Sequence, residues 1–388
     1  MGIIGTKSQG KKRTLERYPS ILNIISHPSV IFAHMVHKII SMTSGNSVLH
    51  SIFVFLAIFT LFQACNTPEK TNSTLTYLKI NGVTFGVVPY QVTYGSLEKQ
   101  DLSTPIDSLL NAINESLSTY VPQSEISEFN RSHHLTFRTP YFLPILLASQ
   151  DIYKITAGAY DPTVGPLVNL WGFGPGKEGV LPDSSAVEQA MQRVGFNKIQ
   201  FDELSISSRH NTYLDFSAIA KGYAVDLVAE LIEEQGIENY YVEIGGEVRC
   251  AGKNPSGQTW RTGISNPRAG DDSDNPIAAV VSIEDRAIAT SGNYRNFYVK
   301  DGKKYAHTIS PFTGYPVEHS LLSASVFAED CMTADAYATA FMVLGLEQSI
   351  RLVEANPKLD AHLIYADESG KLQSYSSEGI KSAMMVGQ

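Results

Sequence analysis

The sequence predicts an α+β fold with mixed or antiparallel sheets and packed helices, formed by one compact unit over residues 74–388. Strand-like and helix-like segments follow one another without the strict β–α–β alternation of a doubly wound sheet. No GxGxxG loop follows a strand and no GxxxxGK[ST] segment occurs, so the common nucleotide-binding loops are absent from the sequence. Residues 74–388 contain no internal repeat and no linker, which favours a single catalytic unit.

The first predicted elements are a hairpin and a helix. Two alternating segments, Thr76–Ile80 and Thr84–Tyr94, are joined by Asn81-Gly82, a strong turn signal. The helix that follows is predicted to be capped by Thr104, with Pro105 in its first turn. Its apolar stripe recurs at helical spacing and consists of Ile106, Leu109, Leu110, Ile113 and Leu117.

The rest of the chain mixes both kinds of element. Further helices are predicted at Leu143–Ala157, at Ser184–Val194, from Ser217 to a stop at Gly236, at Thr333–Leu344 and at Gln348–Ala355. Strands are predicted at Lys198–Phe201, at Leu204–Ser208, at Tyr240–Ile244, through much of Thr259–Phe327, and in a final hairpin that turns at Asp367–Gly370.

Composition excludes one class of partner. The 388 residues are 43% hydrophobic and carry a formal charge of -9, which is ordinary for a globular protein. Because nonspecific nucleic-acid binding needs a cationic surface, no nucleic-acid partner is expected. Cys250 and Cys331 show no metal-binding spacing and are predicted to be buried free thiols, with a disulfide left open.

The N-terminal segment has the pattern of an export signal. Residues 1–64 carry six Lys or Arg and one acid, and the apolar run Ile52–Phe62 spans eleven residues. A membrane-spanning helix needs about 20 apolar residues, whereas a signal-peptide core needs about 7–15. Ala64-Cys65 directly after the run resembles a bacterial lipobox. We therefore expect residues 1–64 to be removed, Cys65 to be lipidated and residues 65–73 to form a tether; a short buried helix is the alternative.

Two segments combine residues that leave the backbone exposed with candidate ligand-binding side chains. Residues 158–174, GAYDPTVGPLVNLWGFG, read as a rigid loop, either a site for a flat ring carrying a diphosphate or a structural corner with Trp171 in the core. Residues 214–226, LDFSAIAKGYAVD, place Asp215 and Lys221 around a predicted helix entrance. Such an entrance can bind phosphate, but Asp215 as a helix cap and Lys221 as an ordinary solvated side chain are the alternatives, and for Lys221 by itself the solvated alternative is favoured.

Two more segments supply candidate reactive groups. Asp335 and Thr339, in CMTADAYATAFM, are four residues apart on one helix face, and their oxygen donors suit magnesium better than zinc. Their structural alternative is a dipole-favoured acid and a back-bonded threonine. His307, in YAHTISPFTGYP, lies between a strand and a turn, where a general base or a structural histidine is expected.

The order of these segments resembles the ApbE family of lipid-anchored, magnesium-dependent flavin transferases. The blocks that carry the resemblance are QSEISEFNR, GAYDPTVGPLVNLWGFG, LDFSAIAKGYAVD, YYVEIGGEVRCAG, ATSGNYRN, YAHTISPFTGYPV and CMTADAYATAFMVLG. They cover the chain from about Thr84 to the C-terminus. The resemblance implies an ApbE-like, T-fold-like architecture. It also implies that the protein is exported and held by its lipid anchor at a bacterial membrane, facing the periplasm.

The resemblance also implies site residues. FAD contacts are expected at Phe85, Tyr120, Ala159, Tyr160, Asp161, Asp215, Lys221 and Ile309. Ligands of Mg²⁺ are expected from the Ala218 carbonyl and from the side chains of Asp335 and Thr339. Phe85-Gly86-Val87 stands where the family has a methionine-glycine-threonine segment, so the contact at Phe85 departs from the family pattern.

The implied reaction joins the FMN half of FAD to a threonine hydroxyl of another protein and releases AMP. His307 is our choice of base, with Asp335 as its competitor. Implied targets are flavoprotein subunits of sodium-translocating NADH:quinone reductase or related electron-transfer complexes. Two alternatives are a magnesium-dependent FAD pyrophosphatase that yields FMN and AMP, and a flavin-binding lipoprotein without chemistry.

Overall fold

A computed structural model describes residues 75–174, 181–269, 275–294, 297–300 and 303–386. The predicted signal segment 1–64, the lipidation at Cys65 and the tether 65–73 lie outside these described residues. No helix within the described ranges is long and apolar enough to cross a membrane.

In chain order, the strands are β1 (Thr76–Thr84), β2 (Val88–Ser96), β3 (His134–Thr136), β4 (Ile199–Phe201), β5 (Ser205–Ser208), β6 (Tyr240–Ile244), β7 (Glu247–Ala251), β8 (Trp260–Ser265), β9 (Ile277–Ile283), β10 (Arg286–Gly292), β11 (Phe297–Lys300), β12 (Lys303–Ala306), β13 (Leu321–Ala328), β14 (Asp360–Ala366), β15 (Leu372–Ser376) and β16 (Met384–Val386). The helices are α1 (Ser103–Leu117), α2 (Glu125–Ser132), α3 (Phe142–Ile155), α4 (Gly165–Leu170), α5 (Ser184–Met191), α6 (Ala220–Glu234), α7 (Cys331–Leu344), α8 (Leu346–Ala355) and α9 (Glu378–Lys381).

The predicted α+β class is confirmed by a central sheet with helices on one face and a small sheet on the other. Eight antiparallel strands are ordered β1-β2-β6-β7-β10-β13-β14-β15. Successive side chains of a strand point to opposite faces. Accordingly Val242 lies in the core that α6 and α7 cover, while Tyr241 lies in the second core, against the small sheet β16-β9-β8.

The first hairpin turns at a different place from the one predicted. Asn81 and Gly82 lie inside β1, opposite Gln91 and Tyr90 of β2, and the turn is formed by residues 85–87. A Cβ at position 82 would lie 2.4 Å from the Tyr90 ring, so this glycine serves close cross-strand packing. Phe85 and Gly86 instead adopt φ values of 47° and 84°, the left-handed backbone that a tight hairpin turn requires.

Several predicted boundaries are also corrected. Helix α1 begins at Ser103 without a side-chain cap, so Thr104 does not cap it, and α6 begins at Ala220 rather than at Ser217. The segment 158–174 contains a regular element, the short helix α4, rather than loop alone. Other predictions are confirmed: β6 has the predicted bounds and the last hairpin turns at residues 367–370. Cys250 and Cys331 are buried and free.

Candidate functional site

A cleft of about 810 Å³ opens where the β6–β7 turn, the end of β10 and the first turns of α6 and α7 meet. Its wall includes most of the residues that the sequence singled out, namely Tyr120, Ala159, Tyr160, Asp161, Asp215, Ala218, Lys221, His307, Ile309, Asp335 and Thr339. Phe85 is not among the residues that line this cleft. It lies in the β1–β2 turn and packs, partly buried, against the main core, because the corrected turn position places it there.

The loop before α4 forms one wall of the cleft and is held by hydrogen bonds to α3 and within the loop. Tyr160 is 1% exposed, and its hydroxyl shares a hydrogen bond of 3.0 Å with the hydroxyl of Ser149. Asp161 accepts hydrogen bonds of 2.8 and 2.6 Å from the backbone N–H and the hydroxyl of Thr163. Burial raises the pKa of Asp161, and the bonds from Thr163 oppose that shift. The loop therefore presents a fixed surface to whatever enters the cleft.

Trp171 has a structural role in this segment. Its side chain is buried, packs against Tyr305 and Tyr315, and donates a hydrogen bond of 2.8 Å to the Gly314 carbonyl. It does not line the cleft. The two interpretations of this segment therefore apply to different parts of it: Trp171 fills a core, while Ala159, Tyr160 and Asp161 face the cleft.

The entrance of α6 reaches the cleft through a turn. Asp215 accepts a hydrogen bond of 2.9 Å from the Ser217 N–H, so it shapes the turn before α6 and does not cap the helix itself. The residue preceding α6, Ile219, offers no side-chain cap. Ala218 and Lys221, on either side of this helix start, both line the cleft.

The entrance of α7 is joined to that of α6 by close backbone packing. A Cβ at Gly222 would lie 2.3 Å from the carbonyl oxygen of Cys331, so only glycine allows the two helices to approach this closely. The Gly222 N–H donates a hydrogen bond of 3.1 Å to Oδ2 of Asp335. This contact brings Asp335 to the first turn of α6, four positions from Ala218, although the two helices are far apart in sequence.

Lys221 is held between two carboxylates rather than solvated. Its Nζ lies 3.3 Å from Oε1 of Glu247 and 3.6 Å from Oδ2 of Asp335, and its side chain is 27% exposed. Burial by itself lowers the pKa of Lys221, but Asp335 and Glu247 more than reverse this, so its net pKa is raised. Lys221 therefore presents a positive charge to the cleft.

Glu247 is a site residue that the sequence analysis missed. It begins β7 directly after Gly245-Gly246, is 3% exposed, and its Oε2 has no hydrogen-bond partner in the described part of the chain. Burial raises the pKa of Glu247, while Lys221 pulls it down. The sequence did carry a signal. Glu247 and Arg249 are two residues apart in a strand, so both side chains point to the same face, here the helix-covered face of β7. A charged side chain buried on such a face needs a partner.

Thr339 also has a partner that was missed. Its hydroxyl lies 3.1 Å from the hydroxyl of Ser291 at the end of β10. Ser291 lines the cleft beside Thr290, which shares a hydrogen bond of 2.8 Å with Ser325. Single serines in a strand carry little sequence signal, because their role depends on the helix that packs over them.

The cleft wall combines many acids with few cations. The lining carboxylates are Asp161, Asp215, Glu243, Glu247 and Asp335. Lys221 is the only lysine or arginine among the described lining residues. A diphosphate entering this cleft therefore needs further positive charge to offset the carboxylates.

The candidate metal ligands fit a hard cation. The Ala218 carbonyl, the Asp335 carboxylate and the Thr339 hydroxyl are all oxygen donors, which is the donor type that Mg²⁺ prefers. The described residues contain no cluster of three His, Cys, Asp or Glu side chains that could hold a metal ion. A site of this kind leaves coordination positions for phosphate oxygens and water.

His307 follows β12 directly and also lines the cleft. Its ring packs edge-on against Phe173, with 6.3 Å between ring centroids. Phe173 in turn packs against Tyr298 at 5.3 Å, and Tyr298 stacks on Tyr305. This aromatic row fixes the β11–β12 hairpin and with it the position of His307.

The chain is similar to one protein family and to solved structures over most of its length. The model of the ApbE family matches residues 82–363. A "FAD:protein FMN transferase" of Haemophilus influenzae is 38% identical over 347 residues, 85% of this chain and 96% of the relative. A protein of the same name from Vibrio cholerae is 36% identical over 339 residues, 84% of this chain and 97% of the relative.

Solved structures show the same similarity in three dimensions. The flavin transferase ApbE from Vibrio cholerae superposes with a TM-score of 0.72 at 36% identity, covering 80% of this chain and 100% of that one. The apo form of the Pseudomonas stutzeri flavinyl transferase ApbE superposes with a TM-score of 0.72 at 30% identity, covering 80% and 97%.

Proposed function

This chain belongs to the ApbE family, and from that premise we propose that it is a magnesium-dependent enzyme that transfers FMN from FAD to a threonine hydroxyl of another protein. AMP is the second product. The observation that carries the proposal is that Ala218, Asp335 and Thr339 line one cleft together with the half-buried cation Lys221. Proteins named as FAD:protein FMN transferases match it over almost their whole length.

The reaction exchanges one phosphoester bond for another. The threonine oxygen forms a bond to the FMN phosphorus, and the bond from that phosphorus to the bridging oxygen breaks, so AMP leaves with that oxygen. Charge spreads over the phosphoryl oxygens during this step, and fixed positive charge stabilises it. Lys221 supplies such charge, and Glu247 and Asp335 hold its ammonium in place. When bound, Mg²⁺ held by Ala218, Asp335 and Thr339 would polarise the diphosphate.

The threonine proton needs an acceptor. His307 is our candidate, because its ring lies in the cleft wall and a histidine titrates near neutral pH. Asp335 is less suited to this task, since Oδ2 of its carboxylate already accepts from Gly222 and faces Lys221. The loop with Tyr160 and Asp161 and the turn at Asp215 would hold the FAD itself.

The proposal extends to export and partners. Residues 1–65 have the pattern of a signal segment with a lipidated Cys65, which supports anchoring to a bacterial membrane with the catalytic unit facing the periplasm. Acceptors would then be periplasm-facing flavoprotein subunits of sodium-translocating NADH:quinone reductase or of related electron-transfer complexes.

The transfer assay incubates the protein with FAD, Mg²⁺ and the purified flavin-accepting subunit of sodium-translocating NADH:quinone reductase. Fluorescence that stays on the subunit in a denaturing gel, together with one AMP per flavin attached, supports the proposal. AMP and FMN without labelled subunit would show a pyrophosphatase, in which water replaces the threonine. FAD binding without any product would show a flavin-binding protein, and excess EDTA should abolish the transfer.

His307→Ala tests the proton acceptor. We expect the transfer rate to fall by about 10²-fold or more, because loss of a general base typically costs that much, while the affinity for FAD is retained. Stopped-flow transfer rates and FAD fluorescence titration measure the two quantities. His210→Ala, at an exposed histidine, is the matched control. A fully active His307→Ala variant would remove His307 from this role.

A further inference from the structure

We propose that Glu247 is a positioning residue that holds the ammonium of Lys221 away from Asp335, and so leaves the Asp335 carboxylate available to the metal ion. This inference rests on the proposed function, because it concerns the metal site of that reaction. It gives a role to an acid that is not among the candidate metal ligands. It also makes Lys221 a competitor of the metal ion as well as a cation for the diphosphate.

Lys221 and the metal ion need the same carboxylate. Nζ of Lys221 lies 3.6 Å from Oδ2 of Asp335, and Asp335 is the charged member of a candidate ligand set whose other two members, Ala218 and Thr339, offer neutral oxygens. A carboxylate that already lies beside an ammonium attracts a second cation less, and the two cations repel each other. Because Asp335 is buried, water and salt screen this repulsion only weakly. Metal binding at Asp335 therefore depends on where the charge of Lys221 is held.

Glu247 is placed to hold that charge. Its Oε1 lies 3.3 Å from Nζ of Lys221, closer than Oδ2 of Asp335, and its side chain is 5% exposed. The Gly222 N–H donates a hydrogen bond to Oδ2 of Asp335, so this oxygen keeps a partner when the ammonium moves away. The geometry therefore favours Glu247 over Asp335 as the main partner of Lys221.

The second oxygen of Glu247 provides further capacity for the ammonium. Oε2 is buried and has no hydrogen-bond partner in the described part of the chain, although most buried polar side-chain atoms are paired. Oε1 of the same carboxylate already contacts Nζ of Lys221, whose stem has four flexible carbons. A small movement of Lys221 can therefore place its ammonium on both oxygens of Glu247 when a metal ion occupies Asp335.

The turn between β6 and β7 leaves room for this ion pair. A Cβ at Gly245 would lie 3.3 Å from Cδ of Lys221 and 3.4 Å from Oε2 of Glu247. Gly245 also adopts a φ of 66°, a backbone conformation that favours glycine. The glycine thus lets the lysine stem and the carboxylate lie side by side next to the turn, which supports a built position for Lys221 at Glu247.

Binding of Mn²⁺ to the protein, without FAD and without acceptor, tests this role. Mn²⁺ prefers the same oxygen donors as Mg²⁺, and electron paramagnetic resonance measures the unbound ion in a titration. We expect Glu247→Gln to weaken Mn²⁺ binding by about fivefold or more, because the ammonium of Lys221 then pairs with Asp335. A Glu247→Gln variant that binds Mn²⁺ as tightly as the wild type would overturn the proposal.

A double-mutant cycle separates positioning from a direct effect of the Glu247 charge. Lys221→Gln removes the competing ammonium, so we expect it to tighten Mn²⁺ binding by about fivefold. In this background Glu247→Gln should change the affinity by less than about twofold, because no ammonium remains to be held. Equal losses in both backgrounds would show that Glu247 acts on the metal ion by its own charge or as a ligand, and would overturn the proposal. If Lys221→Gln does not fold, the single variant Glu247→Gln still decides.

Glu284→Gln is the matched control. Glu284 forms an exposed ion pair of 2.8 Å with Lys253 and does not line the cleft. Its neutralisation removes the same charge from a glutamate–lysine pair far from the candidate ligands in function, so the Mn²⁺ affinity should stay at the wild-type value. Melting curves confirm that each variant is folded at the temperature of the titration.

The two hypotheses fail in different ways. If the wild-type protein binds Mn²⁺ no more tightly than Asp335→Asn, the metal site of the proposed function fails. If the wild-type protein binds Mn²⁺ through Asp335 and Glu247→Gln binds it equally well, the positioning role of Glu247 fails and the proposed function stands.

Discussion

Two buried aspartates, Asp226 of α6 and Asp335 of α7, cap each other's helix and yet differ in what they can do. Asp226 accepts hydrogen bonds of 2.8 Å from the N–H groups of both Cys331 and Met332, the first residues of α7. Asp335 accepts from the Gly222 N–H in the first turn of α6. Each helix thus supplies the carboxylate that satisfies free amides of the other.

The difference lies in the partner and in access to the cleft. Asp226 is paired with Arg249 at 3.2 Å and does not line the cleft. Asp335 faces Lys221 and does line it. The same local role in helix capping is therefore the whole role of one residue, while the other also faces the cleft, where we propose that it binds a metal ion. Access, and not residue type or burial, separates structure from function here.

The largest expected effect is that of Asp335→Asn. The amide oxygen can still accept from Gly222, but the charge that faces Lys221 and the candidate metal ligand are lost. We expect the transfer rate to fall by about 10³-fold, with thermal stability nearly unchanged. Transfer rates over a Mg²⁺ titration and melting curves measure both. If the variant loses stability but keeps its transfer rate per folded molecule, Asp335 is a structural cap like Asp226.

Asp226→Ala should show the opposite pattern. It leaves two helix amides and the Arg249 guanidinium without their buried acceptor, so we expect the free energy of unfolding to fall by about 3 kcal/mol. Urea unfolding measures this. Transfer per folded molecule should fall far less than in Asp335→Asn, and a loss as large as that variant's would contradict the assigned division of roles.

The protonation of Asp226 predicts a pH dependence of the protein's stability. Burial raises the pKa of Asp226 to about 7, against the bonds from Cys331 and Met332 and the charge of Arg249. Because its folded pKa lies above the unfolded value, the stability it contributes is complete below the unfolded pKa and is lost as pH rises through about 7. Between pH 5 and pH 7 we expect a loss of about 2 kcal/mol. In the Asp226→Asn variant, the free energy of unfolding measured with urea should depend less on pH between pH 5 and pH 7. If its pH dependence is unchanged, other groups cause the effect.

Asp330→Ala should have the smallest effect. Asp330 caps α7 through a hydrogen bond of 2.7 Å to the Thr333 N–H, and it does not line the cleft. Loss of an N-cap costs about 1 kcal/mol, so a slightly lower melting temperature and a transfer rate within twofold of the wild type are expected. A large loss of transfer activity would contradict this expectation and would show that the reaction depends on the exact position of the first turn of α7.

Local sequence signals predicted the fold class and most of the elements well. Strand β6 and the turn at residues 367–370 are confirmed, because alternation and turn residues act over a few positions. The first hairpin was placed wrongly at Asn81-Gly82, because the need for glycine there comes from Tyr90 on the neighbouring strand. The start of α6 was placed at Ser217 because a turn with helix-like residues precedes the helix.

The sequence by itself determined the α+β class, the family resemblance and the chemical types of the candidate site residues, since these follow from short patterns. Only the tertiary structure decided which of them meet. Gly222 and Asp335 are 113 residues apart and touch because a glycine lets two helices approach closely. Glu247 became a site residue only through its contact with Lys221, and Phe85 came to lie outside the cleft wall. Contacts between distant segments depend on how whole elements pack, and no short pattern in the chain encodes that.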